Sequence, residues 1–166
     1  AAQQCARKGL DVWLVEQDFD LGGDLLNSAA EVDETLRRDL IREAESAGVR
    51  LMTRTTAFGL YDGGTAGLVE RVTDHLAQAP DYLPRQRFWT LRARYTVIAA
   101  GALERTVAFG NNDRPGVMNA NAGRAYLNRF AVLAGQNVVV ATNNDSAYLA
   151  AGEFASAGAA VSLLDA

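Results

Sequence analysis

Cysteine is nearly missing from this 166-residue chain: Cys5 stands alone. A lone cysteine excludes an intramolecular disulfide framework and fits a cytoplasmic setting. It falls in an expected helix without a companion thiol, so it reads as a core residue rather than a nucleophile. Histidine is equally scarce. His75, the one copy, follows Thr73-Asp74 and reads as a surface or turn residue. There is no Cys/His spacing for a metal, no G-x-S-x-G elbow, no P-loop and no G-x-G-x-x-G fingerprint. No apolar run reaches the length of a membrane span, and no signal peptide, low-complexity tract or long linker is visible. Positive charge is short too. The 16 Lys and Arg against 20 Asp and Glu leave a formal charge of −4, which argues against nucleic-acid or membrane-surface binding.

What is present is an ordinary apolar fraction, 49%, with 15 glycines, a composition that suits a soluble α/β fold with tight helix–strand packing. The chain is organised around Leu10-Asp11-Val12-Trp13-Leu14-Val15-Glu16-Gln17, followed by Leu21-Gly22-Gly23-Asp24. The first run predicts a buried parallel strand ending on an acid. Residues 1–8 read as the last turns of a helix stopped by Gly9. Helix, Gly, strand and terminal Glu make the second half of a βαβ nucleotide fold. The chain therefore reads as part of a longer protein, beginning and ending inside elements. The expected class is α/β: a Rossmann-like FAD/NAD(P)-binding fold without its first strand and glycine fingerprint, carrying an inserted antiparallel β-meander.

In chain order, residues 32–47 predict a helix with Val32, Leu36, Leu40, Ile41 and Ala44 on its apolar face and Gly48 as its stop. A strand is expected at 49–54. Residues 57–61, 67–73 and 87–91 alternate and predict the meander, with Asp62-Gly63-Gly64 as its first turn. Residues 92–100 return to a buried strand. Asn111-Asn112-Asp113-Arg114-Pro115-Gly116 is a turn cluster. A helix at 119–131 packs through Ala122, Ala125, Tyr126 and Phe130. Strand 136–141, helix 144–156 and strand 160–164, ending on Asp165, follow. The implied organisation is part of a first dinucleotide-binding unit at 1–56, the meander at 57–92, a return strand and loop at 93–118, and the start of a second, degenerate unit at 119–166.

Glu16 is the leading candidate for cofactor contact, since an acid at this strand end accepts hydrogen bonds from a ribose diol. Gly22 and Gly23 permit positive φ and close approach of backbone to a ligand. Ala99-Ala100-Gly101-Ala102 ends its strand with small residues only, again allowing close approach. The second half-site is weaker. Ala141, Asn143 and Ser146 fall where glycines are expected, and Asp145 caps the following helix while repelling phosphate.

Several runs together resemble one family. They are Val15-Glu16-Gln17 with Leu21-Gly22-Gly23, Thr53-Arg54-Thr55-Thr56-Ala57-Phe58-Gly59-Leu60-Tyr61-Asp62, and Glu70-Arg71-Val72-Thr73-Asp74-His75-Leu76. Ile98-Ala99-Ala100-Gly101-Ala102-Leu103-Glu104-Arg105, Asn111 to Met118 and Thr142-Asn143-Asn144-Asp145-Ser146-Ala147-Tyr148 complete the set. The family is the α subunit of heterotetrameric sarcosine oxidase, with related opine and amine oxidase subunits and cyanide-forming glycine dehydrogenase subunits beside it. The resemblance implies an oxidoreductase subunit acting in oxidative demethylation of sarcosine to glycine, with O2 as acceptor and tetrahydrofolate taking the one-carbon unit. It implies NAD in this subunit, FAD and FMN in the assembled complex, and β, γ and δ subunits as partners. Glu16, Gln17 and Asp18 would face the ribose, Asp24 would lie near the pyrophosphate, and Ala57 would contact adenine through its backbone. Flavins and the amine-oxidising site would lie mainly on the β subunit and at its interface, so no catalytic residue is assigned. The alternative is a nucleotide-binding module with no chemistry of its own.

Overall fold

The computed structural model describes residues 1–166. Its elements run α1 (Ala2–Ala6), β1 (Trp13–Val15), α2 (Glu31–Ser46), β2 (Arg50–Met52), β3 (Thr55–Tyr61), β4 (Thr65–Arg71), β5 (Gln86–Arg92), α3 (Ala120–Phe130), β6 (Asn137–Thr142), α4 (Ser146–Ser156) and β7 (Ala160–Asp165). The contacts divide the chain into two units: Ala1–Gly22 with Leu36–Ala100, and Gly23–Thr35 with Gly101–Ala166.

In the first unit β1 and β2 pair in parallel, Trp13 opposite Arg50 and Val15 opposite Met52. A separate antiparallel sheet has the order β3-β4-β5. Its strands fall where the alternating pattern predicts them. The β3–β4 connection is Asp62-Gly63-Gly64, where both glycines take positive φ. Leu68 is almost fully buried at the centre of β4. On the opposite face Phe58 lies over Gly67, whose missing Cβ leaves room for the ring.

In the second unit β6 and β7 pair in parallel along their whole length. Val140, Ala147, Ala150, Phe154 and Ala159 form its core, with Leu127, Leu133, Val138, Val161 and Leu163 packed against them. The β-branched residues of β6 suit the pleated surface, and the alanines of α4 suit a helix. Gly158, at φ 97°, ends α4 in a left-handed turn, and the Ala159 N–H reaches back to the Phe154 carbonyl. Gly9 and Gly48 end α1 and α2 in the same way, with Leu10 N–H on Cys5 O and Val49 N–H on Ala44 O. These three glycines are the helix stops read from the sequence.

Four expectations fail. The run at 92–100 is no buried strand beyond Arg92: Val97 and Ile98 are 71% and 75% exposed, and no strand pairs with them. An apolar run can propose a strand, but only a neighbouring backbone can complete one. The strand at 10–17 is confined to Trp13–Val15 and is half-buried rather than covered on both faces. On α2, only Ala44 of the expected apolar face is buried, while Val32, Leu36 and Leu40 are exposed. On α3, Tyr126 and Phe130 point to solvent, and Gly123 and Arg124 form the buried face instead. The last shift has a steric cause. Phe154 of α4 sits against Gly123, where a Cβ would come within 2.7 Å of the ring.

Candidate functional site

Glu16 follows the last paired residue of β1 and is half-buried. Its N–H donates to the Met52 carbonyl at 2.9 Å, and its own carbonyl accepts from Thr55 N–H at 2.9 Å. Its Oε1 accepts the Asp18 N–H at 2.9 Å. The carboxylate thus folds over its own strand end, closing a local ring that fixes the side chain. Arg54 N–H donates to Asp18 O at 2.7 Å, and Arg71 Nη2 donates to Gln17 O at 2.6 Å. Arg54 adopts φ 53° to make its contact, and its guanidinium lies 5.5 Å from the Phe19 ring centre.

Beside this segment lies an open polar pocket of about 430 Å³, lined by Gln17, Asp18, Thr56 and Arg71. Ala57 follows on β3, exposed and opposite Leu68. Of the residues singled out in the sequence, Glu16, Gln17 and Asp18 lie together at the end of β1, and Thr56 of the pocket lining precedes Ala57. Gly22, at φ 145°, closes the same unit's first segment, and only glycine adopts that conformation readily. Ala100 is exposed and outside any strand. Arg54 and Arg71 escaped the sequence reading because nothing in their spacing links them to Glu16. Only the close passage of β3 and β4 past the strand end does so.

Gly23, Asp24 and Gly101 belong to the second unit. Gly23 and Asp24 open a 3-10 turn over Gly23–Asn27, and Asn27 Nδ2 donates to Asp24 Oδ1 at 3.3 Å. Asn128 Nδ2 of α3 holds this turn through the Asn27 carbonyl at 2.7 Å and also donates to Glu153 Oε2 at 2.9 Å. Glu153 in turn takes both arms of Arg124, at 2.8 and 3.0 Å. The side chains of this pair are only 7% and 14% exposed. Hydrogen bonding to Glu153 raises the Arg124 pKa against the opposing effect of burial, and the charges of Glu153, Asp24 and Glu104 add to the rise.

The end of the β6–β7 pair carries a second pocket, about 350 Å³, lined by Val107, Ala141, Thr142, Asn143, Leu164, Asp165 and Ala166. Here Asp145 does not cap α4 with its side chain. Asn144 Oδ1 does so, accepting the Ser146 N–H at 3.0 Å, while Thr142 Oγ1 donates to the Asn144 carbonyl at 2.8 Å. Asparagine one residue earlier reaches the first free amide, so the expected role of Asp145 passes to it. Tyr148 OH donates to Asp165 Oδ2 at 2.8 Å, and this hydrogen bond raises the phenol pKa above its ordinary value, with desolvation and the Asp165 charge adding to it. No group of three or more His, Cys, Asp or Glu stands ready for a metal, and no helix is long and apolar enough to cross a membrane.

Two parallel strand pairs, each with an acid at the strand end, and one antiparallel sheet define a mixed α/β chain. A similar fold is found in the crystal structure of L-proline dehydrogenase from P. horikoshii. That structure aligns with a TM-score of 0.78 and 22% identity over 99% of this chain and 32% of that one, a likeness of fold. In sequence the chain is similar, end to end, to a segment of sarcosine oxidase subunit alpha. The Rhizobium meliloti (strain 1021) subunit is 42% identical over 163 residues, and the Corynebacterium sp. (strain U-96) subunit 38% over 173. Those alignments take in 95% and 100% of this chain but only 16% and 18% of the relatives, so the chain spans less than a fifth of their length. No protein-family profile matches it. The resemblance read from the sequence motifs is thereby borne out.

Proposed function

We propose that this chain is the NAD-binding portion of the α subunit of a heterotetrameric sarcosine oxidase. Its first unit is read as a Rossmann-like dinucleotide-binding unit interrupted by the antiparallel sheet, and 119–166 as the start of a degenerate second one. The observation that carries the proposal is Glu16. It is an acid fixed at the end of a parallel strand, beside a polar pocket, in a chain 42% identical to a segment of such a subunit. A carboxylate so placed accepts two hydrogen bonds from the 2′- and 3′-hydroxyls of an adenosine ribose. Gln17 and Asp18 line that pocket together with Thr56 and Arg71, and Ala57 follows Thr56 on β3. The residues present therefore fit the ribose end of NAD. Gly23, Ala100 and Gly101 are assigned to the cofactor because small residues let backbone approach a ligand closely, and Asp24 by resemblance alone.

The assembled enzyme would join β, γ and δ subunits to this one and convert sarcosine to glycine. Its FAD and FMN would accept electrons and pass them to O2, and tetrahydrofolate would take the one-carbon unit. No residue here is assigned to that chemistry. The part played by this chain is to bind and orient a nucleotide. A related opine or amine oxidase subunit fits the same geometry, and substrate profiling of the assembled complex separates the two.

Glu16→Ala in the intact protein removes a charge-assisted acceptor worth about 1.5–3 kcal/mol. NAD affinity measured by calorimetry is expected to fall roughly ten- to a hundredfold. Asp165→Ala is expected to change it little, because Asp165 is engaged by Tyr148. A loss confined to the Asp165 variant would place the nucleotide in the second unit.

A further inference from the structure

The strand that presents Glu16 is only three residues long, yet the segment beyond it, Glu16 to Asp18, is held at every carbonyl. Glu16 O and Asp18 O receive backbone amides from Thr55 and Arg54. Gln17 O lies between them and has no backbone donor. It receives the Arg71 guanidinium at 2.6 Å, from 54 residues away in sequence. Arg71 is itself anchored, because its N–H donates to Arg54 O at 2.9 Å at the end of β4. One arginine therefore clamps the turn from the antiparallel sheet, with a charged donor roughly twice as strong as a neutral one.

The Glu16 carboxylate depends on that turn. Its Oε1 is oriented by the Asp18 N–H, one residue past the clamped carbonyl. If the Gln17 peptide rotates, the Asp18 amide rotates with it and the carboxylate loses its anchor. We propose that Arg71 is a positioning residue for nucleotide binding: it holds the Gln17 peptide so that Glu16 meets the ribose diol in a fixed orientation. This rests on the nucleotide reading of Glu16 above.

The test uses the intact protein, NAD as the probe, and a double-mutant cycle of Glu16→Ala and Arg71→Ala, with Arg71→Lys as a second variant that retains the charge. Calorimetry gives NAD affinity, and thermal melting without nucleotide gives stability. Arg71→Ala is expected to weaken NAD about tenfold, and Arg71→Lys to recover part of the loss. In the Glu16→Ala background the Arg71 change is expected to add little, because both act through one carboxylate. Three results overturn the proposal while leaving the nucleotide reading intact. They are unchanged affinity in Arg71→Ala when Glu16→Ala is impaired, a lowered melting temperature as the sole effect of Arg71→Ala, and fully additive losses. Wild-type affinity for NAD in Glu16→Ala overturns the nucleotide reading itself, and with it this role for Arg71.

Discussion

Arg124 and Glu153 meet inside the second unit in a bidentate pair with little access to water. Such a pair is a weak net source of stability, but removing one partner strands the other charge in a poor solvent. Glu153→Ala is expected to destabilise the protein by about 3–5 kcal/mol, while Arg124→Met with Glu153→Leu loses much less; denaturant melts of both variants check this. Tyr148 makes a different kind of prediction. Its neutral phenol donates to the Asp165 carboxylate, so its pKa in the folded protein lies above the unfolded one. The stability from this bond is therefore fully present below the ordinary tyrosine range and is lost as pH rises through the raised value. An ultraviolet pH titration of wild type against Tyr148→Phe isolates this phenol. With Asp165→Asn the same phenol is expected to ionise at lower pH, because the carboxylate charge is gone.

The helices show how far local signals reach. Where a glycine follows a helix, at Gly9, Gly48 and Gly158, the stop was readable, because only glycine adopts the left-handed turn without strain. α3 ends in the same geometry with an alanine. Ala131 has φ 54°, and Val132 N–H closes on Tyr126 O at 2.9 Å. A side chain in that conformation costs about 1–2 kcal/mol. Ala131→Gly is accordingly expected to raise the melting temperature, with a stability gain of about 1 kcal/mol. No gain would mean that the Ala131 methyl makes packing contacts that offset the strain. The buried face of α3 was not readable. Tyr126 and Phe130 look like core residues and are exposed, because Phe154 packs against Gly123 and the face with Gly123 and Arg124 is the buried one.

At the scale of the whole chain, large apolar side chains stand open: Val97, Ile98, Leu103 and Phe88 are 71%, 75%, 98% and 72% exposed. The two parallel pairs are also sheets of only two strands, each with free backbone edges. Residues 1–166 expressed alone are expected to self-associate with rising concentration, as light scattering would register. A monodisperse monomer with a cooperative melt would contradict this. From the sequence alone came the α/β class, the acid at the first strand end, the three antiparallel strands and the glycine stops. All of these rest on period and local backbone preference, which neighbouring residues carry. Only the tertiary structure decided the rest. It closed the Gln17 carbonyl with Arg71 and buried Arg124 against Glu153. It left residues 95–100 without a strand to join. Each of these turns on which distant backbone or side chain arrives within hydrogen-bonding reach, and no spacing along a chain encodes that.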